Sequence, residues 1–375
     1  MTAKIRVLLA LTQIPGIGPH RLRALVDHLH DPRAILDASL SELAAANGID
    51  TRLARTIRAF SRGKERAEAE LYADRQIAAL ERYGGSVVTL WEEAYPTGLK
   101  RIYDPPLILF ARGTLSKDDD SSLAIVGTRE PSPYGIRMAE WFAEEFARAG
   151  LTVVSGLARG IDTAAHSSTL RHGGRTVAII GSGVDVLYPP ENRVIAERMM
   201  SQGAVLSEFP MGTKPDAVNF PRRNRLISGM TLGTIVVETG TEGGALITAA
   251  TALDQNREVF ALPSSINPKR PSGTNRLIRE GKALLVESVD EVLQELAPKL
   301  SGRSRPSSGA ESGPREELSF FERAIVDVLP EGQTVHVDAL ASLAKMPVAD
   351  VLVHLLSLEF KGVVRQRPGK YFIRA

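Results

Sequence analysis

The 375-residue chain has no cysteine and no large excess of charge of either sign. The absence of cysteine excludes a disulfide framework and thiolate metal sites, and it fits a protein of the reducing cytoplasm. Lysine and arginine number 46 against 44 aspartate and glutamate, so the formal net charge is only +2. The whole molecule therefore has no general affinity for polyanions, and any nucleic-acid site must be a local cluster of basic residues.

Long apolar runs are lacking as well. The N-terminal segment MTAKIRVLLALTQIPGIG has an apolar stretch that is too short to span a membrane, and it has no small-residue cleavage site. The sequence therefore predicts a cytoplasmic protein that has no membrane partner.

Two common nucleotide-binding signatures are incomplete. The segment IIGSGVDV begins like the dinucleotide-binding fingerprint, but Val186 occupies the position of its third glycine. The Walker pattern of a lysine followed by serine or threonine is absent too. We therefore predict no nicotinamide-binding or nucleotide-hydrolysing site, and no metal or other cofactor.

The composition changes abruptly between Ser301 and Glu317, where SGRSRPSSGAESGPREE contains serine, glycine, proline and charged residues without apolar periodicity. Such a segment cannot bury enough apolar surface to order itself, which predicts a flexible linker. A second boundary, between helices and the first strands, is expected from Tyr83 to Ser122. The predicted parts are a helical domain at 1–83, a second domain at 84–298, the linker at 299–317 and a C-terminal domain at 318–375.

The middle of the chain alternates short apolar runs with helical stretches. The runs LAIVGTR, LTVVSG, RTVAIIGSG, GAVLSE, TIVVETG and EVFALP are each followed by a glycine, a proline or a polar turn. This alternation predicts an α/β fold with a mostly parallel sheet, whose right-handed crossovers bring the carboxyl ends of the strands to one edge. Ligands of open α/β sheets bind at that edge.

Small residues follow four of these strands. Their backbone amides can approach a phosphate closely, and the helix N-termini behind them favour anions. Alternatively, the glycines serve only the geometry of the turns. Because four such turns occur with an arginine among them, we favour an anion-binding site. Its candidate residues are Gly127, Thr128, Arg129, Ser155, Gly156, Gly181, Ser182, Gly183, Gly243 and Gly244.

The segment NFPRRNRLISG places one aromatic ring beside three arginines. Phe220 is followed closely by Arg222, Arg223 and Arg225. The ring is either a core anchor whose neighbours are solvated, or a platform on which a base stacks while the charges hold a phosphate backbone. The residues alone leave both interpretations open.

Four other polar residues are assigned to structure. His166 in GIDTAAH lies four residues after Asp162, on the same face of a helix. We predict that Asp162 caps this helix and that His166 is buried and hydrogen-bonded. Glu208 and Glu238 stand at strand ends, where carboxylates can serve as general acids or bases. No nucleophile or metal partner accompanies them, so we predict structural hydrogen bonds.

The N-terminal segment IPGIGPHRLRALVDHL resembles a helix-hairpin-helix motif. Gly16 and Gly18 form a tight turn, followed by His20, Arg21 and Arg23, and a degenerate second copy begins at NGIDTRLARTI. Hairpin amides of this motif bind a DNA phosphate without reading bases. Because such pairs also serve as packing or protein-contact modules, secondary DNA contacts here are one of two interpretations.

The C-terminal segments FFERAIVDVL, VDALASLA, PVADVLVHLLSLEF and VVRQRPGKYFIR predict three helices and a hairpin, the order of a winged helix. Its third helix would normally enter the major groove, yet this one contains no lysine or arginine. Only the wing is basic, through Arg365, Arg367 and Lys370. We predict a protein-contact or accessory role, with secondary DNA contacts by the wing as the alternative.

Five segments together resemble the DNA processing protein A (DprA, or Smf) family in sequence and in order. They are AIVGTREPSPYG, SGLARGIDTAAH, AIIGSGVDVLYPPEN, SEFPMGTKPDAVNFPRRNRLISG and GGALITAATALDQNREVFALP. The resemblance implies an extended Rossmann-like sheet in a homodimer that binds single-stranded DNA and loads the RecA recombinase during natural transformation. The family is not an established enzyme family, and no small-molecule substrate is expected.

The resemblance also bears on the open question of the aromatic ring. On this sequence the DNA pocket of the family comprises Arg129, Phe220, Arg222, Arg223 and Asn224. The resemblance thus favours the stacking platform. One departure is Gly243, where the family commonly has a serine. Glycine lacks the serine hydroxyl, which argues against a direct ligand role at this position.

An enzyme is the strongest alternative. The same sheet, with an acidic residue near a glycine-rich helix start, resembles the nucleotide phosphoribohydrolase family called lysine decarboxylase-like. That family has GGxGT before a glutamate, whereas here Glu238 and Glu242 precede Gly243 and Gly244. Because the order is reversed, DNA binding is favoured. A duplex-binding regulator that acts through the winged helix is a third alternative.

Overall fold

The computed structural model describes residues 2–266, 272–300, 320–330, 334–344, 346–360, 363–367 and 370–374. The chain forms two compact units, Met1–Arg303 and Ser304–Ala375. The predicted helical domain and the predicted sheet domain lie together in the first unit. Residues 301–317 of the predicted linker lie outside the described residues.

Six helices begin the first unit. Gly16 makes the turn between the first two at φ +83°, a conformation that favours glycine, and Gly48 makes a similar turn at φ +74° in the second predicted hairpin. Asp50 caps the fifth helix, because its side chain accepts a hydrogen bond of 2.7 Å from the Leu53 amide. The helices are α1 (Thr2–Leu11), α2 (Pro19–Leu29), α3 (Ala34–Asp37), α4 (Leu40–Ala45), α5 (Thr51–Arg62) and α6 (Lys64–Arg82).

A nine-stranded sheet follows. Its strands are β1 (Gly85–Thr89), β2 (Ile108–Gly113), β3 (Ser122–Val126), β4 (Thr152–Ser155), β5 (Thr176–Ile179), β6 (Ala204–Ser207), β7 (Gly233–Val236), β8 (Glu258–Ala261) and β9 (Leu284–Leu285). Their order is β1-β2-β6-β5-β4-β3-β7-β8-β9. Strands β3 to β9 are parallel, as Ala124 of β3 shows by pairing with Val154 of β4 and Thr234 of β7.

The six predicted apolar runs correspond to β3 through β8, so the predicted mostly parallel α/β sheet is confirmed. Strands β1 and β2 were not predicted, and they extend the sheet in antiparallel fashion beyond β6. The two-residue β9 at the opposite edge was not predicted either.

Helices cover both faces of the sheet. Along β3, Leu123 and Ile125 pack with side chains of one covering helix, α8 (Pro133–Arg148), whereas Ala124 and Val126 join the cluster of α11 (Asn219–Met230) and α12 (Gly244–Asp254) on the other face. This alternation of buried side chains is expected of a strand that is covered on both sides. The helices are α7 (Thr97–Lys100), α8 (Pro133–Arg148), α9 (Ile161–Arg171), α10 (Arg193–Met199), α11 (Asn219–Met230), α12 (Gly244–Asp254), α13 (Gly273–Arg279) and α14 (Val289–Leu300).

The helical part and the sheet share one hydrophobic core. A single cluster of buried side chains includes Leu25 of α2 and Ile57 of α5 together with Leu109 of β2 and Leu206 of β6. Polar contacts reinforce it, since the Trp91 indole donates a 3.0 Å hydrogen bond to the Asp27 carboxylate. The first six helices are therefore packed onto the sheet. No helix among the described residues is long and apolar enough to cross a membrane.

The second unit has the predicted order of three helices and a hairpin. Ile325, Leu340 and Leu355 form the centre of its own core. The elements are α15 (Phe320–Asp327), β10 (Val335–His336), α16 (Val337–Ala344), α17 (Val348–Phe360), β11 (Val364–Arg367) and β12 (Tyr371–Arg374). Strand β12 pairs with both β10 and β11. The predicted turn of the wing, residues 368–369, lies outside the described residues.

Candidate nucleic-acid interface

A cavity opens where the strand order reverses. Strand β3 has β4 on one side and β7 on the other, and such a point separates the loops at the carboxyl ends of parallel strands. The cavity there has a volume of about 440 Å³, within the range of pockets that bind small ligands. The turn after β3, the segment from Thr239 to Ala245 after β7, the start of α9 and the first turns of α11 line it.

The turn after β3 positions Arg129 at this cavity. The Thr128 amide donates a 2.7 Å hydrogen bond to the Glu238 carbonyl, and the Ile161 amide donates one of 3.2 Å to the Thr128 carbonyl. A Cβ on Gly127 would overlap Ile161, so the close approach of α9 requires glycine there. Arg129 itself is exposed, and it forms no salt bridge with a described residue. Its guanidinium is therefore available to an anion.

The ring of Phe220 lies beside this guanidinium. The guanidinium carbon of Arg129 is 5.1 Å from the ring centroid, a distance typical of a cation–π contact. The ring is half-buried and packs against Gly181, while the Tyr188 ring lies 6.4 Å away at an angle of 32°. Gly181 thus lies directly against the ring, and its predicted contact with an anion stays a prediction. Phe220 is neither fully buried nor fully exposed.

Arg223 lies beneath the ring and is only 4% exposed. Its guanidinium donates a 2.5 Å hydrogen bond to the Ile179 carbonyl, and a Cβ on Gly156 would overlap it. Burial lowers the pKa of Arg223 to about 10, against the opposing effect of the Asp162 carboxylate. The side chain remains charged at neutral pH and, although almost fully buried, it lines the cavity, so its predicted contact with a phosphate stays a prediction. Arg223 supports the cavity from below.

Asp162 organises the loop after β4. One carboxylate oxygen accepts hydrogen bonds from the amides of Gly156 at 3.1 Å and Ala158 at 3.2 Å. The predicted helix cap is wrong, because α9 begins at Ile161 and Gly160 occupies the cap position. Burial raises the pKa of Asp162, and the charge of Arg223 opposes this rise. The Gly156 amide is consequently occupied and not free for a phosphate.

Arg225 is also enclosed. It forms a salt bridge with Glu208, donates a 2.6 Å hydrogen bond to the Asp104 carbonyl, and its side chain is 16% exposed. The predicted DNA contact by Arg225 is therefore corrected to a structural one. The prediction that Glu208 has a structural role is confirmed, although burial raises the pKa of its carboxyl group.

The other two candidate residues of α11 have different surroundings, because Asn224 is only 8% exposed and Arg222 lines neither this cavity nor the smaller one beside it. Arg222 is exposed, with its guanidinium carbon 5.3 Å from the centroid of the Phe209 ring. Asn224 lines the cavity, and its amide donates a 3.2 Å hydrogen bond to the Gly244 carbonyl.

The glycine and serine residues of the other turns divide into two groups. Gly243 and Gly244 line the cavity at the start of α12, as predicted. The hydroxyls of Ser155 and Ser182 are buried, and each donates a 2.6 Å hydrogen bond to a backbone carbonyl. The Gly183 amide donates to the Thr213 carbonyl at 2.9 Å. Ser155, Ser182 and Gly183 do not line the cavity, which corrects their predicted contact with an anion.

The remaining polar candidates are structural, as predicted. His166 is fully buried, with Nδ1 2.7 Å from the Thr176 hydroxyl, and burial lowers its pKa to about 3. Glu238 accepts hydrogen bonds from the amide and the hydroxyl of Ser132 at 3.0 and 2.9 Å. Neither side chain lines the cavity.

The charge around the cavity is uneven. Glu130 and Glu242 line it and are exposed, so the whole rim is not positive. On the side of Phe220, a small adjoining cavity is lined by Arg129, Arg159 and Tyr188. Arg159 is paired with Glu191, whereas Arg129 forms no salt bridge with a described residue. Sequence analysis missed Arg159 and Tyr188, although both lie in segments that carry the family resemblance, because their proximity to Phe220 depends on the sheet.

The secondary candidates lie elsewhere. Arg21 donates hydrogen bonds of 2.8 and 3.2 Å to the carbonyls of Gly16 and Gly48, so it connects the two hairpins. Arg23 is 3.4 Å from Asp27. Gly18 directly precedes α2 as its N-cap residue. In the second unit, Arg365 and Lys370 are exposed, and the Arg367 side chain lies outside the described residues.

Comparisons with known proteins agree with this architecture. A family model described as DNA recombination-mediator protein A matches residues 86–297. Models of a SAM-like helix-hairpin-helix tandem and of a DprA winged helix domain match residues 8–62 and 310–370. Protein Smf of Escherichia coli (strain K12) is 38% identical over 78% of each chain, and Protein Smf of Synechocystis is 31% identical over 98% of each chain.

Solved structures show the same similarity. DNA processing protein A from Streptococcus pneumoniae is 32% identical, with a TM-score of 0.64 over 79% of this chain and 98% of that one. The Helicobacter pylori protein, whose structure is described as giving insights into a unique single-stranded DNA binding mode, is 28% identical, with a TM-score of 0.52 over 57% of this chain and 96% of that one. The family match covers more than half of the 375 residues and includes every segment that lines the cavity, so the chain belongs to the DNA recombination-mediator protein A (DprA/Smf) family.

Proposed function

We propose that this protein binds single-stranded DNA without regard to sequence and acts as a recombination mediator. The observation that carries the proposal is the exposed Arg129 guanidinium beside the half-buried Phe220 ring at the mouth of the cavity. A ring face and a neighbouring charge suit a base and the phosphate of a flexible strand. The single-stranded DNA binding mode described for the H. pylori relative supports the proposal of single-strand binding.

Indifference to sequence follows from the kinds of contact on offer. Arg129 and Arg222 present guanidinium groups to a backbone, and Phe220 presents a π-face that every base can use. The Asn224 amide, which could read a base edge, already donates to the Gly244 carbonyl. The site thus has few groups that would distinguish one base from another.

The proposed mechanism is binding without catalysis. Asp162 accepts hydrogen bonds from two backbone amides and Glu238 from Ser132, so these two carboxylates are engaged in structure, while Glu130 and Glu242 line the cavity and are exposed to solvent. The competing phosphoribohydrolase activity is tested by incubating the full chain with nucleoside monophosphates. Release of a free base would contradict this part of the proposal.

The proposed partners follow from family membership. We propose that the protein works in the cytoplasm as a homodimer joined through its α/β part, and that it loads RecA onto incoming DNA during natural transformation. Two cavities on one strand would raise the affinity through effective concentration. Light scattering of the protein with and without DNA tests the dimer, and only monomer under both conditions would refute it. The rate of RecA filament assembly on oligo-dT, measured with and without this protein, tests the loading.

The experiment for DNA binding is a titration of labelled oligo-dT at several salt concentrations, with duplex DNA as competitor. Arg129→Ala and Arg222→Ala should each weaken binding and reduce the slope of log affinity against log salt by about 0.7 per lost phosphate contact. Arg148→Ala, on α8 at the opposite face of the sheet, is the matched control. Tighter binding to duplex than to oligo-dT would overturn the proposal.

A further inference from the structure

Tyr103 is a large ring with almost no cover. It is 87% exposed, more than any other tyrosine, phenylalanine or tryptophan for which the structure gives an exposure. Its nearest aromatic neighbour is His20, whose ring centroid lies 5.2 Å away at an interplanar angle of 53°. Tyr103 belongs to the sheet part of the first unit and His20 to α2. These two side chains, here called the outer ring pair, bridge the two parts.

The backbone of Tyr103 is held on both sides. Ile102 before it is 5% exposed and packs against Gly229 of α11. Asp104 after it accepts a 2.6 Å hydrogen bond at its carbonyl from Arg225, and its carboxylate lies 3.3 Å from the same guanidinium. The exposed ring therefore stands on a fixed segment. A rigid, uncovered ring loses little entropy when a partner stacks on it.

Helix α11 connects this segment to the cavity. Phe220 and Arg225 are five residues apart on the helix, about 7.5 Å along its axis. Arg222, two residues after Phe220, is exposed on a different side of the helix, with its guanidinium carbon 5.3 Å from the centroid of the Phe209 ring. A flexible strand that crosses α11 at Arg222 would therefore run from the cavity towards the segment that Arg225 holds.

Positive charge accompanies the outer ring pair. Arg101 is exposed and forms no salt bridge with any described residue. Arg21 and Arg23 follow His20 on α2, where Arg21 donates to the carbonyls of Gly16 and Gly48 and Arg23 lies 3.4 Å from the Asp27 carboxylate. An aromatic surface beside basic residues fits a single-stranded nucleic acid better than it fits an apolar partner.

We propose that the outer ring pair is a second stacking site for the DNA strand whose first base binds at Phe220. The strand would leave the cavity, pass Arg222 and place a later base on Tyr103. The inference rests on the proposed function and adds to it a role for the helical part. The helical part would contact DNA through the His20 side chain, and the backbone amides of the hairpin would not take part. A DNA strand would thus occupy the surface where the helical part meets the sheet part.

The test compares oligo-dT of two lengths with the full chain. A short strand of roughly 4 nucleotides fills the cavity alone, and a long one of roughly 16 reaches the outer ring pair. Tyr103→Ala should weaken binding of the long strand by roughly 5- to 150-fold and leave the short strand unchanged. Tyr103→Phe should retain the parent affinity, because the ring remains. Trp141→Ala, on α8, is the matched control ring.

The outcomes separate this inference from the proposed function. The melting temperature of Tyr103→Ala should match the parent, because the side chain is exposed. Long strands bearing 5-iododeoxyuridine should crosslink to Tyr103, and short ones should not. Unchanged long-strand affinity in Tyr103→Ala, or an equal loss at both lengths, would overturn the second site alone. A parent chain that binds neither length would refute the proposed function itself.

Discussion

The four arginines near Phe220 differ in what surrounds them. Arg129 and Arg222 are exposed, whereas Arg223 and Arg225 are enclosed and bonded to backbone carbonyls. A guanidinium has five N–H donors; Arg225 directs its donors to Asp104 and Glu208, whereas Arg223 gives one to the Ile179 carbonyl and lines the cavity with the rest of its guanidinium. The charge of Arg223 acts on the cavity through a medium of low dielectric constant. Binding and support are thus distributed over different arginines of one short segment.

Phe220→Ala should weaken oligo-dT binding by roughly 1 to 3 kcal/mol and leave the salt dependence nearly unchanged, because stacking releases no counterion. Phe220→Leu distinguishes the stack from a core anchor, since leucine retains apolar volume against Gly181. Leucine should restore the melting temperature without restoring affinity. Anisotropy titrations across a salt series measure both effects. A leucine variant that binds like the parent would return Phe220 to a packing role.

His166 should make the protein sensitive to acid. A histidine in the unfolded chain titrates near pH 6.5, and burial lowers the pKa of His166 to about 3. Between these values the unfolded chain binds the extra proton, so stability is complete above about pH 6.5 and falls as the pH drops towards 3. At pH 5 the loss is about 2 kcal/mol, or about 1.5 pH units at 1.36 kcal/mol each.

Urea unfolding of the parent and of His166→Asn, at pH 7 and pH 5, measures this loss. Asparagine can donate to the Thr176 hydroxyl but does not titrate, so the variant should lose less stability on acidification. Asp162, whose pKa burial raises, is present in both chains and drops out of the difference. An identical pH dependence of the two chains would contradict the assignment.

At the scale of elements, sequence identified the strands that are buried on both faces. Strands β3 to β8 appear as continuous apolar runs because helices cover both sides of them. Strand β2 pairs with β6, almost a hundred residues later, and nothing local marks that partnership. The same limit applies to the site. Arg129 follows from a strand end and Phe220 from its basic segment and the family resemblance, but the enclosure of Arg225 depends on Glu208 and Asp104, which spacing does not reveal.

Arg21 should be a structural link between the two hairpins. Its fork of donors reaches the carbonyls of both Gly16 and Gly48, whereas a lysine is a point charge and cannot span them in the same way. Arg21→Lys should lower the free energy of unfolding by about 1 kcal/mol, the net value of one or two hydrogen bonds. Amide exchange around Gly48 should quicken. Arg52→Lys, a nearby exposed residue, should change neither quantity, and equal behaviour of the two variants would disprove the link.

At the scale of the molecule, the helical part is not a detachable module. Its apolar side chains join the same cluster as those of β2 and β6, so removing it would expose part of the sheet core. The second unit differs, because in the part of it that the structure describes the core around Leu340 and Leu355 consists of side chains of that unit.

A chain that ends at Leu300 should retain most of the affinity for oligo-dT. It keeps the cavity, Arg129, Phe220 and Arg222, and it loses a domain whose third helix has no lysine or arginine. The salt slope should fall by no more than about 0.7 for each phosphate contact that the wing makes. A matched full-length variant, Arg365→Ala with Lys370→Ala, removes wing charges but keeps the domain. A large affinity loss in both chains would move the principal DNA site to the wing, whereas a loss only on truncation would show that the domain acts without those charges.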